Sequence, residues 1–290
     1  MTLILGGRAV TSIPDADKVI AVRDPENGQL VLRPGVHKNL RRRSFAPRAI
    51  TIHWVGSENV PVRSADPTGK AKWSVLDTLL ERNLGYDFLV DSALRPGRRG
   101  IYQLADPVNT RTPHAGVAND QSLAIAFISR GFATKDDMRG SDLLDRDELD
   151  WAEPRDVFAA RIWDGKRIES SDLVSLHPDA LHDLVWLVET LCGLLNIPRV
   201  IPWQSAAPEY VEELRETELI RATPVEHNGL SWLPLYDRDS APWGRARNFE
   251  GVMGHFHTHA DKWDPGPQPF EALWAEGFNP TGVKLPRAAG

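Results

Sequence analysis

Cysteine is nearly absent: the 290 residues contain one, Cys192. A single Cys excludes an internal disulfide and any multi-Cys zinc finger or iron–sulfur ligand set. Positive charge is also short. Lys+Arg number 34 against 40 Asp+Glu, for a net charge of −6. That balance argues against a protein whose main work is gripping nucleic acid. Long apolar runs are missing as well. The best candidate, Leu184 to Leu195, is interrupted by Glu189 and Thr190, so it is no membrane span. The start of the chain has neither a charged segment nor an apolar core of signal-peptide length. The expectation is a soluble product made in the cytoplasm without a signal peptide. No internal repeat is visible, and no alternating Asp-plus-Gly pattern of a calcium loop.

What is present fits one large domain or two small ones. Hydrophobic residues at 41% can build a core without disulfide staples. Ten Trp and 22 Pro are the unusual entries. Residues 1–47 are rich in Gly, Pro and Arg and end in a basic run, Lys38 to Arg43 with Arg48. They read as a solvated N-terminal arm, contact with an anionic surface being the lesser alternative.

Three strands are predicted. In Ala49–Val55, Ile50 and Ile52 alternate with Thr51 and His53. Tyr86–Val90 is short and aromatic-rich. Ser122–Ile128 is nearly continuous apolar, as a strand buried on both faces would be. Trp73–Arg82 carries apolar residues at helical spacing. A longer helix is predicted at 179–196, with Leu181, Leu184, Val185, Val188, Leu191 and Leu195 on one stripe, stopped by Asn196 and Pro198. Cys192 sits inside it as buried filler. A short last helix is expected at 269–275. Two stretches look like insertions: an acidic, solvated one at about 130–175 and a loop-rich one at 203–249. Strands alternating with helices define an α/β class.

Histidine placement carries the chemistry. His255, His257 and His259 alternate, and Asp261 and Asp264 follow. In an extended segment the three imidazoles would share one side. With His and carboxylate donors but no Cys pair, zinc in an open catalytic site fits better than a closed structural site. Such a site takes three protein ligands and leaves one position for water. A distant ligand could come from His53, at the carboxyl end of the first strand, where sites gather in open α/β sheets. A histidine there is also commonly just hydrogen-bonded. His257-Thr258-His259-Ala260-Asp261-Lys262 is one residue from the H-x-H-x-D-H run of metallo-β-lactamase-fold hydrolases. The final His is Lys262 here, and no His follows His259.

A broader resemblance covers roughly half the chain. Ile50-Thr51-Ile52-His53, Leu84-Gly85-Tyr86-Asp87-Phe88-Leu89-Val90 with Ile101-Tyr102-Gln103-Leu104, His114-Ala115-Gly116 with Asn119 and the strand from Ser122, and Gly254-His255 with Lys262-Trp263-Asp264-Pro265-Gly266 come in this order. Together they resemble the zinc-dependent N-acetylmuramoyl-L-alanine amidases, which include phage lysozyme-type amidases and peptidoglycan recognition proteins. The resemblance implies a mixed central β-sheet flanked by helices, spanning 48–290, with one Zn2+ in a surface groove. It implies His53, His255 and Asp264 as zinc ligands, and Tyr86 and Lys262 as catalytic residues. His114 would line the substrate groove, and Trp54 and Trp263 would wall it. His257 stays open as an alternative ligand to His255. The muropeptide-recycling branch has a catalytic Glu where this chain has Ala126, which favours the Tyr/Lys branch. The implied reaction cuts the amide between N-acetylmuramic acid and L-Ala of the stem peptide. The implied partner is peptidoglycan or a muropeptide, reached after release or delivery by other means. The alternatives are a non-catalytic peptidoglycan-binding module and a metallo-β-lactamase-fold zinc hydrolase.

Overall fold

The computed structural model describes residues 3–55, 75–91, 100–128, 132–134, 155–156, 161–163, 166–167, 171–173, 178–206, 225–227, 230–234, 246–258, 264–265 and 268–280. Its centre is a six-stranded mixed sheet. The strands are β1 (Val19–Ala21), β2 (Ala49–Trp54), β3 (Phe88–Asp91), β4 (Gly100–Gln103), β5 (Ser122–Ile128) and β6 (Gly251–Gly254), in the order β6-β2-β5-β3-β4-β1. Only the β3–β4 pair is antiparallel. Among the described residues, three helices flank the sheet: α1 (Val75–Glu81), α2 (Pro178–Leu195) and α3 (Gln268–Ala275).

The alternation in the sequence decides which residues face which layer. Ile50, Ile52 and Trp54 of β2 point one way, with Leu123, Ile125 and Phe127 of β5. They pack on Leu184, Leu187, Val188 and Leu191 of α2 and on Phe270 and Leu273 of α3. On the opposite face, Leu89 and Ala126 join a second cluster with Val75, Leu76 and Leu79 of α1. Each large apolar side chain so buried contributes roughly 1.5–3 kcal/mol. The buried stripe of α2 differs from the expected one. Ala180 and Leu187 are inside, while Leu181, Val185 and Leu195 are only partly buried. The helix rests on the sheet along a line slightly rotated from the one that leucine spacing alone suggests. Cys192 is filler, and burial pushes its thiol up to about 12.

All three helices stop the same way. Asn83, Asn196 and Gly277 adopt left-handed conformations just past the helix ends. The next amide then bonds back to a carbonyl in the last turn: Leu84 to Leu79, Ile197 to Cys192, and Phe278 to Leu273. This satisfies carbonyls that a helix end leaves open. At the other end of the architecture, Gly251 opens β6 at φ 140°. A Cβ there would collide with the carbonyl of Val200 and the ring of Phe249, so the backbone of β6 is admitted only by glycine.

Three expectations are corrected here. Residues 1–47 are not merely a solvated arm. β1 forms the sheet edge beside β4, and Leu3 and Leu32 are buried. The apolar pairs Leu3/Ile4 and Val31/Leu32 are too short to read as core by periodicity. The 203–249 stretch is not simply loop. Trp203–Ala206, Leu230–Pro234 and Val225–His227 make a three-stranded antiparallel sheet, and Trp203 lies in the core. Within 130–175, Phe132–Thr134, Ser171–Leu173 and Arg155–Asp156 pair into another small sheet; most of the acidic run lies outside the described residues. Among the described residues, no helix is long and apolar enough to cross a membrane.

Candidate metal centre

Two adjacent parallel strands bring the first two histidines together. β6 pairs with β2 so that Gly254 lies opposite Ile52. The next residues, His255 and His53, therefore emerge side by side at the carboxyl ends of both strands. The two rings are 4.5 Å apart, centroid to centroid. Asp264 comes back to them from the segment before α3. Its Oδ2 is 3.2 Å from His53 Nδ1, and its two oxygens are each 3.1 Å from His255 Nδ1. All three donor atoms lie within 4.8 Å of one another, the one such group found among the described residues. For zinc bonds of about 2.0–2.1 Å, the edge of a ligand tetrahedron is roughly 3.3 Å. The nitrogen–oxygen separations match that edge, and two imidazoles plus one carboxylate are an open-site donor set. The residues fit a zinc ion. Burial alone would raise the Asp264 carboxyl, but the neighbouring His255 and His53 imidazoles hold it well below the usual range.

His257 does not join them. The expectation of an extended His255–His259 segment fails, because His255–His257 is a 3-10 turn. With three residues per turn, His257 swings away from His255 and into the core. It packs edge-on against Trp203 and Phe270. Its Nδ1 accepts from the Gly254 amide at 2.9 Å, and burial pushes it down to about 3. Packed between Trp203 and Phe270, His257 stands apart from the His53–His255–Asp264 group. This also removes the first histidine of the metallo-β-lactamase-like run. His259 and Asp261 lie outside the described residues.

Trp54 is corrected too. It alternates to the face opposite His53 and is 8% exposed in the main core, so it does not wall a groove. Tyr86 precedes β3 rather than belonging to it. Its ring is 5.2 Å from that of His53, beside the His53–His255–Asp264 group. Burial first, and then the Asp264 charge, raise its phenol, which keeps it a neutral donor. Lys262 and Trp263 lie outside the described residues. Ala126 is the register partner of His53 on β5, so no carboxylate occupies that position.

His114 sits behind His53, not on an open surface. It is 8% exposed, and its Nδ1 is 3.0 Å from His53 Nε2. The turn that carries it is fixed by Asn119, whose Oδ1 accepts from the amides of His114 and Ala115 at 2.8 and 2.6 Å. Arg43, at the end of the basic run, is not solvated like its neighbours. Its guanidinium donates to the carbonyls of Thr110, Asn119, Asp120 and Ser122, tying that turn to β5. Nothing in its local sequence separates it from its solvated neighbours Arg41 and Arg42.

Asp87 stands just before β3. It is fully buried, its Oδ2 accepting from the Thr112 hydroxyl and the Ala124 amide, and its Oδ1 has no partner among the described residues. Burial pushes it up to about 6, against the pull of Arg43. An unfolded Asp sits near 3.9. The folded state therefore holds this proton more tightly. The associated stability is full below about pH 4 and is lost as pH rises past 6, by roughly 2–3 kcal/mol. Asp87→Asn should abolish that slope. Urea denaturation at pH 4 and pH 7.5 checks it, and parallel pH curves for both proteins would disprove it.

The fold and centre thus define a mixed α/β protein with a His–His–Asp group at the carboxyl ends of adjacent parallel strands. Among solved structures, the chain is similar to the Escherichia coli N-acetylmuramyl-L-alanine amidase AmiD, solved with anhydro-N-acetylmuramic acid-L-Ala-D-gamma-Glu-L-Lys. The match has a TM-score of 0.29 and 17% identity, and covers 61% of this chain and 54% of that one. The chain thus spans about half the length of that protein. No protein-family model and no curated protein matches the sequence.

Proposed function

We propose that this chain is a zinc-dependent peptidoglycan hydrolase that cuts the amide between N-acetylmuramic acid and L-Ala of the stem peptide. The observation that carries the reading is the convergence of His53, His255 and Asp264. It is supported by the order of the amidase-like segments around those three residues. The proposed domain is 48–290, with Val19–Ala21 of the preceding segment adding the edge strand of its sheet.

Bound zinc would supply Lewis acidity toward the scissile carbonyl and a water of lowered pKa. Two neutral imidazoles and one carboxylate keep the centre net positive, which suits both tasks. Tyr86 is placed to donate a hydrogen bond beside His53, either to the attacking water or to the developing oxyanion. Lys262, two residues before Asp264, is assigned the second oxyanion donor on the sequence resemblance. Trp263 remains a proposed groove wall on the same basis. With Ala126 opposite His53, a glutamate base on β5 is not available, so proton handling falls to Tyr86, Lys262 and water.

Purified peptidoglycan digested with the protein should release stem peptides without new reducing sugar ends, and a chelator should stop it. Reducing ends without free peptides would overturn the amidase reading. Binding without cleavage by zinc-loaded protein would favour a recognition module, and two zinc ions per chain would favour a metallo-β-lactamase-type hydrolase.

A further inference from the structure

We infer that His114 is a positioning residue that fixes the tautomer of His53, so that His53 meets the metal through Nδ1. This rests on the metal reading of the His53–His255–Asp264 group.

The argument starts from a hydroxyl. Ser122 Oγ has one proton, and its shortest acceptor is the Ala118 carbonyl at 2.7 Å. Thr51 Oγ1 then donates to Ser122 Oγ at 3.0 Å. Ser122 Oγ therefore has no proton left for His114. His114 Nε2 faces that oxygen and the Ser122 carbonyl, both at 3.4 Å. Two acceptors around one ring nitrogen require that it carry the proton. His114 Nδ1 is then a lone pair, and the 3.0 Å contact to His53 Nε2 must be a donation from His53. Neutral His53 is left with its own lone pair on Nδ1, which faces Asp264 Oδ2 at 3.2 Å. Two lone pairs at that distance repel unless a cation lies between them. The chain of donors from His53 to the Ser122 carbonyl thus aims one nitrogen at the centre and prevents it from carrying a proton there.

The surroundings hold this chain rigid. Asn119 grips the His114 turn through two amides, and Arg43 binds the same Ser122 carbonyl that accepts from His114. A partner behind a ligating histidine typically changes metal affinity by 10- to 100-fold.

The test compares wild type, His114→Ala and His114→Asn. Asn can place its Oδ1 near the position of the imidazole Nδ1, keeping the acceptor and discarding the ring. Zinc affinity, measured by chelator competition, should fall about 10- to 100-fold in His114→Ala and recover to within a few-fold of wild type in His114→Asn. Far-ultraviolet circular dichroism and a thermal melt of the zinc-free proteins separate this from unfolding, since a merely structural role predicts no rescue by Asn. Long-range proton–nitrogen correlation on the histidine-labelled, zinc-loaded wild type should show His53 protonated at Nε2. Unchanged affinity in His114→Ala, no recovery in His114→Asn, or a His53 without a proton on Nε2 would each overturn the inference. A wild type that takes up no zinc overturns the metal reading instead. The tautomer of His53 in that zinc-free protein still decides the hydrogen-bond chain.

Discussion

His53→Ala is expected to lose zinc and hydrolytic activity together, by about three orders of magnitude or more in turnover. His53 is fully buried at the end of β2, one of the three residues of the group, with its Nδ1 3.2 Å from Asp264 Oδ2. Without it, His255 and Asp264 remain as a pair, too few for an open zinc site. Chelated wild type should show the same loss, and added zinc should restore wild type but not the variant. Metal content and peptide release, measured on the same preparations, make the comparison. An active, zinc-loaded His53→Ala would remove His53 from the centre.

The second large effect is expected at Tyr86. Tyr86→Phe should retain zinc and substrate affinity while kcat falls roughly 100-fold. The ring stays 5.2 Å from that of His53, so packing beside the metal centre is preserved. The hydroxyl alone is lost. Because burial and the Asp264 charge keep that hydroxyl protonated, it acts as a hydrogen-bond donor across the neutral pH range. Ala126 leaves no nearby carboxylate on β5 to take over. Single-turnover kinetics on a defined muropeptide, with metal analysis, tests this. An unchanged kcat would return Tyr86 to a packing role.

Much of the sheet was legible because strand alternation is local. The sequence placed Ile50 and Ile52 opposite Thr51 and His53, and the structure has the first pair in the main core. Ser122–Ile128 forms the strand expected of a continuous apolar run, and α2 ends at Leu195 as Asn196 and Pro198 indicated. Helix faces were less legible. Leucine spacing marks a stripe, but the angle at which α2 lies on the sheet moves Leu187 inside and leaves Leu181 and Val185 partly exposed. Short segments were least legible of all. Val19–Ala21 is three residues long and gains its place by pairing with Gly100–Gln103, some 80 positions away.

The centre divides in the same way. His53, His255 and Asp264 could be singled out from residue type, strand position and ordered motifs. What the sequence alone determined was therefore the donor set and the strand alternation, both written in nearest-neighbour spacing. Only the tertiary structure decided that His257 belongs to the core and that Arg43 and His114 stand behind the centre. Those outcomes depend on a 3-10 turn after β6 and on contacts between residues 13 to 79 positions apart. Spacing along the chain carries no information about which ring nitrogen meets which partner; the hydrogen-bond geometry of the folded chain does.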